Sequence, residues 1–309
     1  MYRSQYLFDH IDELIDDDEV WPICVPSYNR PDASFLQYVD NVPVILFIRK
    51  EQADLYKQYK GRCRIVKIDG VEEIGQTRAK IVDWAAEHGY DNIFMLDDDI
   101  LHLTFNQPAQ TSSGKWAMKR YTTITNQAEG IYDEKVFKMW MWLARRCDER
   151  LTISAPGALS DWWNIRYKDS ETVYNSGSCI QCIHLNIKNM VEQGINYIDT
   201  REGGTEDYTL QYQVMTAGLY TAIFKDLAFR APAGGGPSGG NTTDQDLIDK
   251  YENFIRLFNE NILQPEDEYR VSTKTAKSGI PSVKFDWPKW HAGTITYDNS
   301  AILESLSIV

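Results

Sequence analysis

From residue 20 to residue 100 the chain switches repeatedly between short, wholly apolar runs and stretches whose apolar residues recur every three or four positions. Residues 20–25 and 42–48 (VPVILFI) are apolar runs, residues 93–96 follow Asn92 as another (NIFML), and a continuous run marks a strand buried on both faces, while 63–68 is a third strand candidate. Residues 51–59 predict a short helix. Residues 76–88 predict a longer one, with Ile81, Trp84, Ala85 and His88 at helical spacing and Gly89 as a C-terminal stop. Strand and helix alternating at these intervals imply an α/β fold with a parallel sheet and right-handed crossovers.

Beyond residue 100 the pattern loosens. Residues 105–127 are polar and read as a long excursion from the sheet. Residues 133–146 predict a helix and 151–155 and 179–185 predict strands. Residues 205–217 predict a helix capped by Thr205 and closed by Gly218, with a strand at 219–224. The run 231–241 (APAGGGPSGGN) has five Gly and two Pro and cannot be a regular element. Residues 243–262 form a periodic helical stripe whose simplest role is core packing. The tail from residue 269 carries Phe285, Trp287 and Trp290 without a clear period. No internal repeat is visible. The organisation expected is one domain over 1–265, with a C-terminal tail over 266–309 packed on it. Its two halves would span about 20–100 and 101–230.

Composition narrows the partners. With 32 basic and 45 acidic residues among 309, the formal charge is −13. That argues against wrapping nucleic acid over a broad surface, since phosphate binding rests on Lys and Arg. It leaves room for a local basic rim, and Lys115–Arg120 is one cluster. The polar, acidic opening segment does not read as a signal peptide, and no apolar run is long enough to span a bilayer. Five scattered cysteines (Cys24, Cys63, Cys147, Cys179, Cys182) suit free thiols in a reducing cytoplasm.

Five local patterns could carry chemistry. Leu96-Asp97-Asp98-Asp99-Ile100 follows a buried strand directly. Three adjacent carboxylates repel one another, and a divalent cation relieves the repulsion. In an extended chain Asp97 and Asp99 would face one side and Asp98 the other. Hard oxygen ligands suit Mn²⁺ or Mg²⁺ shared with a phosphate; a solvated acidic turn is the alternative. Pro26, Ser27, Tyr28, Asn29 and Arg30, ahead of Pro31, end the first strand. They could hold a base, ribose or phosphate, or form an ordinary turn. Gly75-Gln76-Thr77-Arg78 opens a helix, where Gln76 and Arg78 could meet a phosphate or sugar hydroxyl; an exposed helix start is the alternative. Asp69 could accept from a nucleobase imide, or belong to a plain Asp-Gly turn. Gly203-Gly204-Thr205-Glu206-Asp207 places two carboxylates in a first helical turn, where the dipole favours the ionised form that a general base needs. Acidic residues also gather there for stability alone.

Other positions read more weakly. The Gly-rich run suits a lid, a phosphate cradle or a linker. Cys179-Ile180-Gln181-Cys182 has CxxC spacing, but no second pair follows, so inert core cysteines are expected. His184 reads as a satisfied core histidine. His291 is a candidate third metal ligand from the tail. Asp161-Trp162-Trp163 and Lys115-Trp116 could offer stacking platforms.

The order VPSYNRP, Asp69, GQTRAKIVDWA, MLDDDI, GGTEDYTLQYQVMTAG resembles nucleotide-sugar glycosyltransferases of the GT-A type over roughly residues 20–225. The wording is most similar to the phage-type, TET-associated glycosyltransferases that decorate hydroxymethylated pyrimidines in DNA. The resemblance implies a GT-A-like, mostly parallel central sheet flanked by helices. It also implies a UDP-sugar donor held by Pro26–Arg30, Asp69, Gln76, Arg78 and Asp98, and a Mn²⁺ or Mg²⁺ ion on Asp97, Asp99 and His291. Asp207, with Glu206 beside it, would be the base of an inverting transfer to a hydroxyl acceptor, a 5-hydroxymethylpyrimidine in DNA. The implied location is the cytoplasm, that of the host for a phage-encoded chain. DDDI departs from a clean DxD pattern, so which two Asp bind metal stays open. The other readings are a glycosyltransferase with a saccharide or protein acceptor and a non-catalytic nucleotide-sugar or nucleic-acid binding module. A sugar-phosphate nucleotidyltransferase would need a Gly-rich basic loop that VPSYNRPD lacks.

Overall fold

A computed structural model describes residues 3–15, 20–110, 116–120, 133–147, 149–158, 173–174, 179, 181–197, 206–231, 248, 252, 256, 271–275 and 281–285. In chain order the elements are α1 (Arg3–Leu14), β1 (Ile23–Ser27), β2 (Val44–Arg49), β3 (Arg64–Ile68), α2 (Ile74–Glu87), β4 (Asn92–Leu96), β5 (His102–Gln110) and β6 (Trp116–Arg120). They continue with α3 (Glu134–Arg145), β7 (Leu151–Ala158), β8 (Val173–Tyr174), β9 (Cys182–Asn186), α4 (Ile187–Glu192), α5 (Glu206–Thr216) and β10 (Tyr220–Arg230). Strands β11 (Val271–Thr275) and β12 (Pro281–Phe285) pair as an antiparallel hairpin.

The central sheet runs β3-β2-β1-β4-β9-β7-β10-β5-β6, with β8 paired to β10. β3, β2, β1 and β4 are parallel neighbours, β9 is antiparallel to both β4 and β7, and β10 is again parallel to β7. This is the mostly parallel α/β sheet expected from the alternation.

The continuous apolar runs have a clear cause. Along β2, Val44, Leu46 and Ile48 enter one core, and Ile45 and Phe47 enter the other. Along β4, Phe94 and Leu96 share the first core, and Ile93 and Met95 the second. The first core includes Leu7 and Ile11 of α1 and Phe137, Trp140 and Leu143 of α3. The second includes Ile81, Val82 and Ala85 of α2, Met190 of α4, and Leu210 and Val214 of α5. Helices therefore cover both faces, so the positions of these inner strands are apolar, whereas the edge strand β3 carries Arg64 and Lys67.

Several expectations change. Residues 51–59 form two short 3₁₀ turns, Lys50–Gln52 and Lys57–Tyr59, instead of one helix. The polar stretch after residue 105 is in part the β5–β6 hairpin, which extends the sheet beyond β10. Its polarity reflects a peripheral position, not departure from the sheet. The opening segment forms α1, packed by Leu7, Phe8 and Ile11. The Gly-rich run beyond Ala231, and the 243–262 helix apart from residues 248, 252 and 256, lie outside the described residues. Among the described residues no helix is long and apolar enough to cross a membrane.

The site is positioned by the switch in strand order. The chain steps outward from β1 to β2 to β3, then returns through α2 to β4 on the other side of β1. Ligands of open α/β sheets bind in the crevice where the order reverses, beyond the C-terminal strand ends. β1 pairs with β4 only at Ile23 and Cys24 but with β2 along its whole length. Pro22 accepts from Phe94 N on the β4 side, while Ile23 N donates to Pro43 on the β2 side. By this alternation the backbone nitrogen of Pro26 faces β4, where the ladder has already ended. The missing N–H of proline thus leaves no gap in the sheet.

Candidate active site

Two acidic clusters, each organised by an arginine, occupy the crevice. The first closes the end of β1 onto the turn after β4. Ser27 Oγ donates to Asp98 Oδ2 at 2.5 Å and lies 2.8 Å from the Tyr56 hydroxyl, which accepts from Arg30 N at 3.1 Å. Arg30 ion-pairs with Asp98 Oδ1 at 2.5 Å and donates to Asp99 Oδ2 at 2.9 Å. Phe35 N donates to the Asp98 carbonyl at 2.9 Å.

The extended geometry expected for the three aspartates ends at Asp97. Asp98 and Asp99 sit in a turn in which Ile100 N donates to the Asp97 carbonyl at 3.3 Å. Asp97 therefore points to the α2/α5 side, whereas Asp98 and Asp99 both meet Arg30. Asp98 is 0% exposed. Burial pushes its carboxyl up to about 7, against the pull of Arg30 and Ser27. Asp99 is raised by burial and then by the Asp97 charge.

The second cluster is centred on Arg78, which is 4% exposed. Its Nη2 donates to Asp97 Oδ1 at 2.7 Å, and its Nη1 donates to Glu206 Oε1 at 3.1 Å and Asp207 Oδ1 at 2.6 Å. The Tyr197 ring lies 6.0 Å from the guanidinium. Burial pushes Asp207 up to about 7, with Arg78 opposing and Glu206 adding to the rise. A carboxyl near neutrality is well matched to take a proton at physiological pH. Glu206 Oε2 is buried without a hydrogen-bond partner.

The other sequence-predicted residues are placed as follows. Pro26 ends the open side of β1. Tyr28 is 53% exposed, with the Arg49 guanidinium 3.9 Å from its ring centroid. Asn29 takes a left-handed φ of 54°, and its N–H donates to Gln52 Oε1 at 3.0 Å. Asp69 is exposed beyond β3, 3.4 Å from Lys50 Nζ, before a turn at Gly70 with φ 65°. Gln76 is occupied elsewhere: it forms a reciprocal capping box with Glu73 and accepts from Glu72 N at 2.6 Å. The amides at the start of α2 are thus served by the protein itself. His291, Gly203, Gly204 and Thr205 lie outside the described residues.

Sequence reasoning missed Tyr56 and Gln181. Tyr56 looked like one residue of a short helix, yet it is fully buried and ties Ser27 to the Arg30 backbone. Gln181 sat inside the CxxC spacing. It takes φ 63°, and its carbonyl accepts from Asp97 N at 2.7 Å, fixing the first residue after β4. A non-glycine residue in this region is costly and persists only when its surroundings demand it. The flanking thiols are buried and unbridged, with Cys179 pushed up to about 12. His184 lies between Ser154 Oγ at 3.1 Å and Asn92 Oδ1 at 2.9 Å, and burial lowers it to about 3, so it stays neutral in the core.

The aspartate turn can be tested against a divalent cation. Asp98 Oδ1 and Asp99 Oδ1 are both buried without a hydrogen-bond partner, but Asp98 is the poorer fit, because its Oδ1 is ion-paired with Arg30 at 2.5 Å and its Oδ2 accepts from Ser27. Asp99 fits: its Oδ1 is buried without a hydrogen-bond partner, and the nearby Asp97 charge repels it. Among the described residues no group of three or more His, Cys, Asp or Glu side chains is arranged to hold a metal. Asp97 and Asp99 would therefore leave coordination positions for water or a donor phosphate.

The TET-Associated Glycosyltransferase family profile matches residues 21–232, more than half of the chain and all of the elements that build these clusters. No curated protein matches. Among solved structures, GalNAc-T7 with UDP, GalNAc and Mn²⁺ aligns at 12% identity over 79% of this chain and 48% of its own, with a TM-score of 0.40. This chain therefore spans about half of that one. Staphylococcus aureus TarS 1–349 in complex with UDP-GlcNAc aligns at 11% identity over 78% of this chain and 67% of its own, with a TM-score of 0.45. Mannose-1-phosphate geranyltransferase from Thermus thermophilus aligns at 10% identity over 69% of this chain and 74% of its own, with a TM-score of 0.35. On the family match, this chain is a glycosyltransferase and belongs to the TET-associated glycosyltransferase family.

Proposed function

We propose that the protein transfers a sugar from a UDP-sugar to the hydroxyl of a 5-hydroxymethylpyrimidine in DNA, with inversion at the anomeric carbon, as one catalytic unit over residues 1–265. The observation that carries this reading is the meeting, on one buried guanidinium, of Asp97 from the end of β4 and Asp207 from the start of α5. A displacement needs a donor side and an acceptor side within one crevice, and Arg78 brings their acids together.

On the donor side, Tyr28, Asn29 and Asp69 line the exposed rim for the nucleotide, and Ser27, Arg30 and Asp98 hold that rim in shape. Asp97 and Asp99 would hold Mn²⁺ or Mg²⁺, which when bound neutralises the leaving diphosphate. On the acceptor side, the hydroxyl oxygen attacks the anomeric carbon as the bond to the diphosphate breaks. Asp207 takes the hydroxyl proton, and the nucleoside diphosphate leaves with the bonding electrons. Inversion needs one base and no protein nucleophile. The family name supports a DNA acceptor, and the charge of −13 confines contact to a local rim.

The test is a donor screen by mass spectrometry. DNA containing 5-hydroxymethylpyrimidine, unmodified DNA and simple saccharides are offered with each UDP-sugar and Mn²⁺. A mass gain of one sugar on the hydroxymethylated DNA alone is expected, and Asp207→Asn is expected to reduce its rate by roughly 10²–10⁴. Transfer to saccharides with none to DNA would replace the acceptor assignment.

A further inference from the structure

Arg78 sits where a contact to the donor phosphates would be sought, yet its surroundings suit a different task. It arises from the second turn of α2, in a helix whose start is already closed by the Glu73–Gln76 capping box. Its guanidinium faces inward and reaches three carboxylates from two other elements, Asp97 at 2.7 Å, Asp207 at 2.6 Å and Glu206 at 3.1 Å. Asp97 belongs to the turn after β4, and Glu206 and Asp207 to the first turn of α5. These residues lie 19, 128 and 129 positions from Arg78.

The carboxylates have their own backbone anchors. Asp97 N donates to the Gln181 carbonyl at 2.7 Å. Gln211, on α5, donates to the Asp207 carbonyl at 2.9 Å and to the Cys179 carbonyl at 3.3 Å, and accepts from Cys179 N at 3.0 Å. Cys179 is therefore tied to α5 and Gln181 to Asp97. Arg78 joins the same two elements, the turn after β4 and α5, through side chains.

We propose that Arg78 is a positioning residue that sets Asp207 against Asp97 for transfer and does not hold the donor diphosphate. This rests on the glycosyl-transfer reading above. A guanidinium can serve two acids at fixed angles through separate nitrogens, whereas an ammonium is a single point charge. Arg78→Lys keeps the charge but removes the fork. Since a displacement of about 1 Å in a reacting group can cost about 10²-fold, Arg78→Lys is expected to lower kcat by about 10- to 100-fold. Its Kd for UDP with Mn²⁺, read by calorimetry, should stay within about twofold of wild type.

A double-mutant cycle supplies a readout that general loss of fold would not. In an Asp207→Asn background there is no base to position, so adding Arg78→Lys should lower the residual rate by less than about threefold. A rise of tenfold or more in the UDP Kd of Arg78→Lys with kcat unchanged would overturn the proposal and make Arg78 a donor contact. Equal losses of kcat in both backgrounds would overturn it too. If the wild-type protein binds UDP but transfers to no acceptor, or fails to bind UDP, the transfer reading itself falls. That result is separate, because the Arg78 comparison is made only with an active wild type.

Discussion

The Arg30 and Arg78 clusters use the same means, an arginine among carboxylates, for different ends. Arg30 joins neighbours at one rim of the crevice: Asp98 and Asp99 from the turn after β4, with Ser27 and Tyr56 completing the closure. Its side chain is 24% exposed, so part of its charge is screened by water. Arg78 is sealed from water and gathers acids that are distant in sequence. The first cluster shapes one loop, and the second joins the turn after β4 to the start of α5. Breaking a paired charge costs more where the remaining charges stay buried.

Removing each arginine is the strongest way to break that contrast. Arg78→Gln leaves three carboxylates facing one another in the interior and is expected to lose about 3–5 kcal/mol. Arg30→Gln leaves two carboxylates instead of three, Asp99 partly solvated and Asp98 buried but still bonded by Ser27, and is expected to lose about 1–2 kcal/mol. Urea unfolding of both variants measures the difference, and equal losses would abolish the distinction.

A smaller effect separates the aspartates. Asp99→Asn is expected to weaken Mn²⁺ binding by about 10- to 100-fold, roughly 1.4–2.7 kcal/mol, because one hard anionic ligand is lost. Asp98→Asn keeps the shape of the Ser27–Arg30 closure and should change Mn²⁺ affinity by less than about threefold. Titration calorimetry on chelator-stripped protein reads both values. A larger loss for Asp98→Asn would reverse the assignment of the turn.

The smallest effect is spread over pH. Burial raises Asp98 and Asp207 to about 7 in the folded protein, from about 3.8. The folded state thus holds protons that the unfolded chain releases, and their stabilising effect is full below about pH 4 and fades as pH rises toward 7. Asp12 and Asp40 are held low by lysine and arginine partners, so they act only below that window. His184, lowered to about 3 from 6.5, works the other way, but two carboxyls outweigh one imidazole, so in chelator Tm should still fall from about pH 5 to pH 7. Asp98→Asn and Asp207→Asn should each remove part of the slope, one from each cluster.

Much of the architecture was legible in the sequence because burial on both faces of a parallel sheet leaves a continuous apolar run. VPVILFI and NIFML became β2 and β4 for that reason. The β5–β6 hairpin was not legible, since it adds to the sheet through backbone pairing with β10 and carries little apolar signal. In the candidate site, the motif strings marked stretches that the fold brings together, but not their partners. Gln76 read as a ligand contact and forms a helix cap, and Gln181, given no role between two cysteines, holds Asp97. Gln181 acts through its backbone carbonyl, which every residue carries, and Gln76 engages the backbone amides of Glu72 and Glu73 with its side chain.

By itself, the sequence determined the α/β order, the apolar strands and the places where acid residues collect, because hydrophobic period and side-chain type are properties of short segments. Only the tertiary structure decided that Asp97 parts from Asp98 and Asp99, and that Asp97 shares one guanidinium with Glu206 and Asp207. Those facts depend on a turn that ends the strand's alternation and on a crossover that sets α2 beside α5. Charges more than a hundred residues apart become neighbours only when the chain has folded around them.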